Sequence, residues 1–334
     1  MKKEFSPPGY LLVVALVCLG YAGVLGGAAP RQEPLARIAF GSCSKHDREQ
    51  PMWENIVDSK PDLWIWLGDI IYADTRDMQV MRQKYEAQKK NPGYRLLLEA
   101  CPVIGIWDDH DYGKNNGGKE YDKKRQSQQI LLDFLDETAN SRRRRQQGVY
   151  ASYSYGPEGE KVKVILLDTR YHRDEPGEKG DLLGAEQWTW LEDELSRSTA
   201  SVHLIGSSIQ VLPEEHPYEK WANFPRARER LFAVIGRSRA LGVIFLSGDR
   251  HLGEIARMKH PAVAYPLYEI TSSGLTHSYS KLKREPNRYR LGDFYNQINF
   301  GLVELDWQAG QVGLQIRDRE NVVRREQIIK LRDP

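Results

Sequence analysis

Cysteine is scarce: the 334 residues hold three, at positions 18, 43 and 101. Cys18 falls in an apolar run at the amino terminus, which leaves Cys43 and Cys101 for the folded part and allows one disulfide at most. A disulfide-built scaffold is excluded. An excess of either charge is also missing. Formal net charge is +2, and Lys2, Lys3 and Glu4 supply +1 of it. With so little field over the remainder, no preference for nucleic acid is expected. No repeat of fixed period and no low-complexity tract occurs, so the chain is not a solenoid or an array.

What is present begins with the amino terminus. Lys2 and Lys3 precede an uncharged, mostly apolar stretch over residues 10–29, which closes in Gly-Gly-Ala-Ala. Basic, apolar and small-residue segments in that order read as a signal peptide over 1–29, cleaved near Ala29. The rival is an uncleaved anchor, since twenty uncharged residues can span a bilayer. Glycines dilute the second half and favour the cleaved signal; lipidation at Cys18 is weaker still, because apolar sequence continues past it. The protein is therefore expected to be exported, to the periplasm, the medium or the cell surface. It would meet a membrane only through this segment, if uncleaved. Residues 30–36 read as a linker and 37–334 as the folded domain.

The focus of that domain is the stretch Leu63-Trp-Ile-Trp-Leu-Gly-Asp-Ile-Ile-Tyr72. Five apolar residues in a row suit a strand buried on both faces. Gly68 ends it, Asp69 stands at its carboxyl end, and Tyr72 follows three residues later. Ligands of open α/β sheets bind at such ends, and a buried acid there needs a partner such as a metal ion. The grammar recurs. A strand over 37–41 leads to Cys43, and one over 102–107 leads to Asp108-Asp109-His110-Asp111. Strands over 161–167 and 202–206 lead to Asp168-Thr-Arg170 and to Ser207-Ser-Ile-Gln210. One over 243–248 leads to Asp249-Arg-His251. Helices are expected from Pro51, over 77–89, 92–98, 120–140, 185–196 and 224–241. Antiparallel strands are expected over 149–155 and, late in the chain, over 265–271, 301–307, 312–316 and 321–329. Strands alternating with helices and then strands alone imply an α/β domain with mixed sheets.

Three acids and a histidine at 108–111 would repel strongly without a cation between them. Oxygen ligands suit calcium, magnesium or manganese, whereas thiolate and tyrosinate suit ferric iron or zinc. The mixture suggests two metal ions of different character, with Asp69 a two-oxygen candidate for the bridge. Two cations about 3.5–4 Å apart activate water and hold both ends of an in-line displacement, which suits phosphoryl transfer.

Taken together, Phe40-Gly-Ser-Cys-Ser, Gly68-Asp-Ile-Ile-Tyr-Ala-Asp74, Trp107-Asp-Asp-His-Asp111, Leu167-Asp-Thr-Arg170 and Ser247-Gly-Asp-Arg-His251 resemble the PhoD-like alkaline phosphatases, of the calcineurin-like metallophosphatase superfamily. The resemblance runs from about Arg37 to Glu269. It implies a sandwich of two mixed β-sheets flanked by helices, and iron (Fe3+) with calcium (Ca2+) as cofactors, other divalent metals being alternatives. By position it implies Cys43, Tyr72, Asp249 and His251 as metal-site residues, Asp69 as the bridge, Asp109 as a ligand and His110 as the residue facing phosphate. Asn116 is the candidate ligand of the Asn115-Asn116 pair. Gln210 stands where many relatives carry a histidine, which leaves its role open. Asp108, Asp111, Asp168 and Arg170 are placed behind the ligands, the last two as an ion pair.

The function so implied is an exported metal-dependent phosphatase in which a metal-bound hydroxide attacks phosphorus of a phosphoester. Two rivals stand beside it. One is a phosphodiesterase acting on lipid or teichoic-acid-like polymers, for which the run Arg142 to Arg145 would supply a basic rim. The other is a metal-stabilised surface binding protein without turnover. Each residue also has a plainer reading. Arg142 to Arg145 fit a solvated helix end, Cys43 a buried thiol or a disulfide to Cys101, and Cys101 a buried thiol. His203 and His216 fit surface or satisfied histidines, and His277 lies in a loop near enough in pattern to face the site.

Overall fold

The computed structural model describes Met1 and residues 33–238 and 240–331, so the expected signal beyond Met1 and residues 30–32 of the linker lie outside the described residues. Among the described residues, no helix is long and apolar enough to cross a membrane. In chain order the elements are β1 (Arg37–Gly41), α1 (Trp53–Asp58), β2 (Leu63–Leu67), α2 (Met78–Lys90), α3 (Pro92–Ala100), β3 (Val103–Ile106), α4 (Asp109–Tyr112) and α5 (Lys124–Phe134). Then come β4 (Ala151–Tyr155), β5 (Val162–Leu166), α6 (Gly184–Ser196), β6 (Val202–Ser207), α7 (Pro225–Arg237), β7 (Val243–Ser247), β8 (Gly253–Met258) and β9 (Leu267–Ser272). The chain closes with β10 (Phe300–Asp306), β11 (Gln311–Arg317) and β12 (Val323–Lys330).

These strands form two six-stranded mixed sheets, in the orders β12-β11-β10-β1-β2-β3 and β4-β5-β6-β7-β9-β8. In the first, β1, β2 and β3 run parallel, and β10 joins β1 antiparallel. In the second, β5, β6, β7 and β9 run parallel between the antiparallel edge strands β4 and β8. The parallel strands of each sheet thus deliver their carboxyl ends along one edge.

Alternation along single strands assigns the layers. Val162, Val164 and Leu166 of β5, with Leu204 and Leu246 of the neighbouring strands, join the core that holds Phe40, Leu67 and Leu302 of the first sheet. Their neighbours Ile165, Ile205 and Phe245 point the other way, into a second core with Trp188 and Leu191 of α6 and Leu231 and Ile235 of α7. The outer face of the first sheet carries Trp64 and Trp66, which meet Trp53 of α1 edge-on at 5.4 and 5.5 Å. Trp66 also donates its indole N–H to Tyr94 of α3 at 3.1 Å. The expected sandwich flanked by helices is the architecture found.

Several boundaries differ from expectation. The helix read over 120–140 is confined to α5, and that over 224–241 ends at Arg237. Strand β8 was not anticipated: its Glu254 is buried and breaks the apolar pattern. The arginine run is a short 3-10 turn, not a solvated helix end. Arg143 is buried, donating to the carbonyls of Val149 and Gly105 and pairing with Glu137 at 3.0 Å. Arg144 pairs with Asp133 at 2.9 Å. Arg143 is thereby used up inside the fold, and the run does not form the continuous basic rim that the rival diesterase reading would draw from it.

Candidate metal centre

The site forms where carboxyl ends of both sheets meet. Cys43 follows β1, Asp69 follows β2, Asp108 and Asp109 follow β3, Asp249 and His251 follow β7, and His277 follows β9. Two glycines let the ends approach. A Cβ at Gly68 would stand 2.3 Å from Cβ of Asp108, and one at Gly248 would stand 2.5 Å from Ser42 Oγ. Neither position has room for a side chain. Cys43, Asp69, Asn116, Asp249 and His251 all take φ between 51° and 66°, in the left-handed region that non-glycine residues avoid. They are five of the nine such non-glycine residues described, so backbone strain concentrates where function is expected.

Three groups of side chains lie close enough for each to hold an ion: Cys43, Asp69 and His251; Asp69, Asp109 and His110; and Asp108, Asp109 and Asp249. Asp69 is common to the first two and Asp109 to the last two, so the groups form one continuous centre. Asp69, the expected bridge, is buried, with Oδ2 3.5 Å from Cys43 Sγ and Oδ1 without any partner. Asp108 Oδ2 is likewise buried and unpartnered. Burial, and then the neighbouring acids Asp109, Asp108 and Asp111, push the Asp69 carboxyl well above the usual range. Burial and Asp109 raise Asp249 to about 7. Burial, and after it Asp69, push up the Cys43 thiol. Asp109 alone goes down: burial opposes ionisation, but Arg170, His110 and the backbone N–H groups of Asn116 and His110 outweigh it. Orphaned carboxylate oxygens and mutually repelling acids are the signature of a pocket built for cations. The donor set therefore fits two metals.

Aromatic and imidazole rings close one side. Tyr72 Oη lies 3.1 Å from Nε2 of His251 and 3.1 Å from Nε2 of His277. His110 stacks on Tyr72 at 4.1 Å, and its Nδ1 is held 2.8 Å from the carboxylate of Asp74. Burial lowers the His110 pKa, but Asp74 and Asp109 more than compensate and the net shift is upward.

The residues placed behind the ligands hold the loops. Asp111 accepts backbone N–H groups from Asp108 at 2.6 Å and Ile70 at 3.1 Å, tying β3's end to that of β2. Arg170 is fully buried but does not pair with Asp168, contrary to expectation. Its guanidinium meets Asp108 at 2.5 Å and Glu219 at 2.6 Å. Asp168 instead accepts the backbone N–H groups of Val149, Arg170 and Tyr171. Asn116 lines the site and donates its backbone N–H to Asp109 Oδ2 at 2.7 Å. Gln210 donates to Glu254 and Thr271. Cys43 and Cys101 are both buried and are not joined to each other, so the alternative disulfide between them does not form. His203 is satisfied by Leu241 O and Ser198 Oγ, whereas His216 is buried with both ring nitrogens unpartnered.

Sequence reasoning passed over Asp74, Glu219, Tyr218 and Tyr279. Asp74 carried a signal, being five residues past Asp69 in the same motif. Glu219 carried none, because only the folded loop brings it to Arg170. A cleft of about 490 Å³ opens onto the centre, reaching Asp109, His110, Asp249 and His251 at one end and Tyr218 and Tyr279 at the other.

Two packed mixed sheets with a cluster of candidate metal ligands on their carboxyl edge are the architecture of a metallophosphatase-type protein. The particular family is also identified: the PhoD-like phosphatase model matches residues 38–318, and the chain belongs to that family. Alkaline phosphatase D of Bacillus subtilis (strain 168) is 23% identical over 279 residues, covering 65% of this chain and 46% of the relative. The chain thus spans about half the length of that curated relative. Among solved structures, PhoD superposes with TM-score 0.72 at 19% identity, over 90% of this chain and 70% of its own. Purple acid phosphatase PPD1 from yellow lupin (Lupinus luteus) seeds gives TM-score 0.63 at 13% identity, over 90% of this chain and 55% of its own.

Proposed function

We propose that the chain is an exported phosphatase that hydrolyses phosphoesters at a two-metal centre, with ferric iron and calcium as the pair. The observation that carries this is the continuous donor set sharing Asp69 and Asp109, with its orphaned carboxylate oxygens. Cys43, Tyr72 and His251 form the softer end and would hold iron; Asp108, Asp109 and Asp249 form the all-oxygen end and would hold calcium. Bound cations would neutralise phosphate oxygens and supply an activated water.

The protein's own groups do the remainder. Asp74 takes Nδ1 of His110, so Nε2 is the nitrogen left to donate a proton to the departing oxygen. Tyr72 packs against His110 and fixes the ring's plane. Arg170 holds Asp108 in place from beneath, and the Ile70 and Asp108 amides on Asp111 keep two strand ends in register.

The test is metal analysis of protein recovered from its export compartment, together with hydrolysis of para-nitrophenyl phosphate and its bis ester. Iron with calcium and turnover of the monoester are expected, both lost in Cys43→Ala and Asp69→Asn. Full metallation with no hydrolysis of either ester would make the chain a metal-stabilised binding protein instead. A bis ester preferred over the monoester would move the activity to diester substrates.

A further inference from the structure

Among the described residues, nine large hydrophobic side chains are exposed, and the two aromatic ones, Tyr218 and Tyr279, both line the cleft. They are 44% and 39% exposed, so each ring presents a face to the cleft. Their rings are nearly parallel, 26° apart, with centroids 6.3 Å from each other. They are also held. Arg250, itself buried, lies 4.0 Å over the Tyr218 ring and is paired with the buried carboxylate of Glu285. Tyr279 packs on His251 at 4.7 Å and donates its backbone N–H to the His251 carbonyl at 3.0 Å. The platform therefore begins one ring away from a metal-site imidazole, and a buried cation fixes its far member.

We infer that Tyr218 and Tyr279 form a leaving-group subsite, selecting phosphoesters whose alcohol carries a flat ring. The inference rests on the phosphatase reading above. Phosphate seated at the metal end would project its ester oxygen along a cleft whose remaining apolar surface is Pro176 and Pro217. Other walls are charged or amide side chains, among them Arg173, Glu175 and Asn223. An acyl chain finds no trough there. A ring stacked on a fixed tyrosine gains contact without ordering a flexible side chain. An aromatic ring and the C–H face of a sugar both offer that surface.

The experiment compares kcat/KM for phenyl phosphate, glucose 6-phosphate and ethyl phosphate in wild type, Tyr218→Phe and Tyr218→Leu, using metal-loaded protein. Dividing each variant's value by that of wild type removes the intrinsic reactivity of each ester. Tyr218→Leu is expected to lose about fivefold more on a ring-bearing ester than on ethyl phosphate, mostly through KM, while Tyr218→Phe keeps the discrimination. Loss on phenyl phosphate assigns the subsite to aromatic alcohols, and loss on glucose 6-phosphate assigns it to sugars. Calorimetric binding of benzylphosphonate against ethylphosphonate gives a readout without turnover and should lose the same preference in Tyr218→Leu. Equal losses on all three esters, or none, overturn the subsite while leaving the phosphatase reading intact. If wild type turns over none of the three, the phosphatase reading fails and the subsite with it.

Discussion

At the scale of single residues, the site depends on a cation that belongs to the protein. Arg170 is wholly buried between Asp108 and Glu219, and its removal would leave two buried acids facing each other. Breaking such a triad from the middle costs about 3–5 kcal/mol. Arg170→Ala should therefore unfold in urea with a stability lower by roughly that amount, and Arg170→Lys should fall between it and wild type because an ammonium cannot make the forked contact. A loss under about 1 kcal/mol for Arg170→Ala would mean that water already shares the pocket. Residues like Asp69 and Cys43 were legible in the sequence because an acid or thiol straight after an apolar strand has no local reason to be there. The true partners of Arg170 were not, since Asp108 lies 62 and Glu219 49 positions away. Arg143 misled for a related reason. Four consecutive arginines look solvated until the turn folds one inward to cap the Gly105 and Val149 carbonyls.

At the scale of elements, the buried parallel strands were readable because both of their faces are apolar, and alternation within them now explains the two cores. Element ends were less readable, for polar turns such as residues 120–123 carry no period. Strand β6 carries an internal example of chemistry that composition hides. His203 is buried on it, bonded to Leu241 O and Ser198 Oγ at 2.7 Å each. Burial lowers its pKa from 6.5 to about 4. The folded state thus binds fewer protons than the unfolded chain between these values. Its contribution is present above pH 6.5 and is lost as pH falls through about 4. The shift corresponds to about 3 kcal/mol. Melting curves across pH 8 to 4 should show His203→Asn less stable than wild type at pH 8 but with a shallower acid decline. Parallel declines in the two proteins would assign acid sensitivity to other groups.

At the scale of the whole molecule, two sheets converge on a pocket that weakens the metal-free fold. Asp69, Asp108, Asp109 and Asp111 are buried together at the junction with Asp249 half-buried beside them, and Gly68 and Gly248 let the strand ends close around them. A fold that encloses like charges gives up stability so as to bind strongly, and ion binding returns it by mass action, about 4 kcal/mol at a thousandfold excess over Kd. Chelation should then lower the melting temperature of wild type by several degrees. Asp69→Asn removes a carboxyl that the metal-free fold must either bury charged or protonate, with its Oδ1 unpartnered, so this variant should change rank with wild type between the two conditions. With chelator it should melt above wild type, because the cost of burying or protonating that carboxyl has gone. With iron and calcium it should melt below wild type, because the ligand shared by two groups has gone. The reversal of rank between the two conditions is the diagnostic. A variant that merely damaged packing would be the less stable protein in both, and that result would remove the argument that the junction is built around ions.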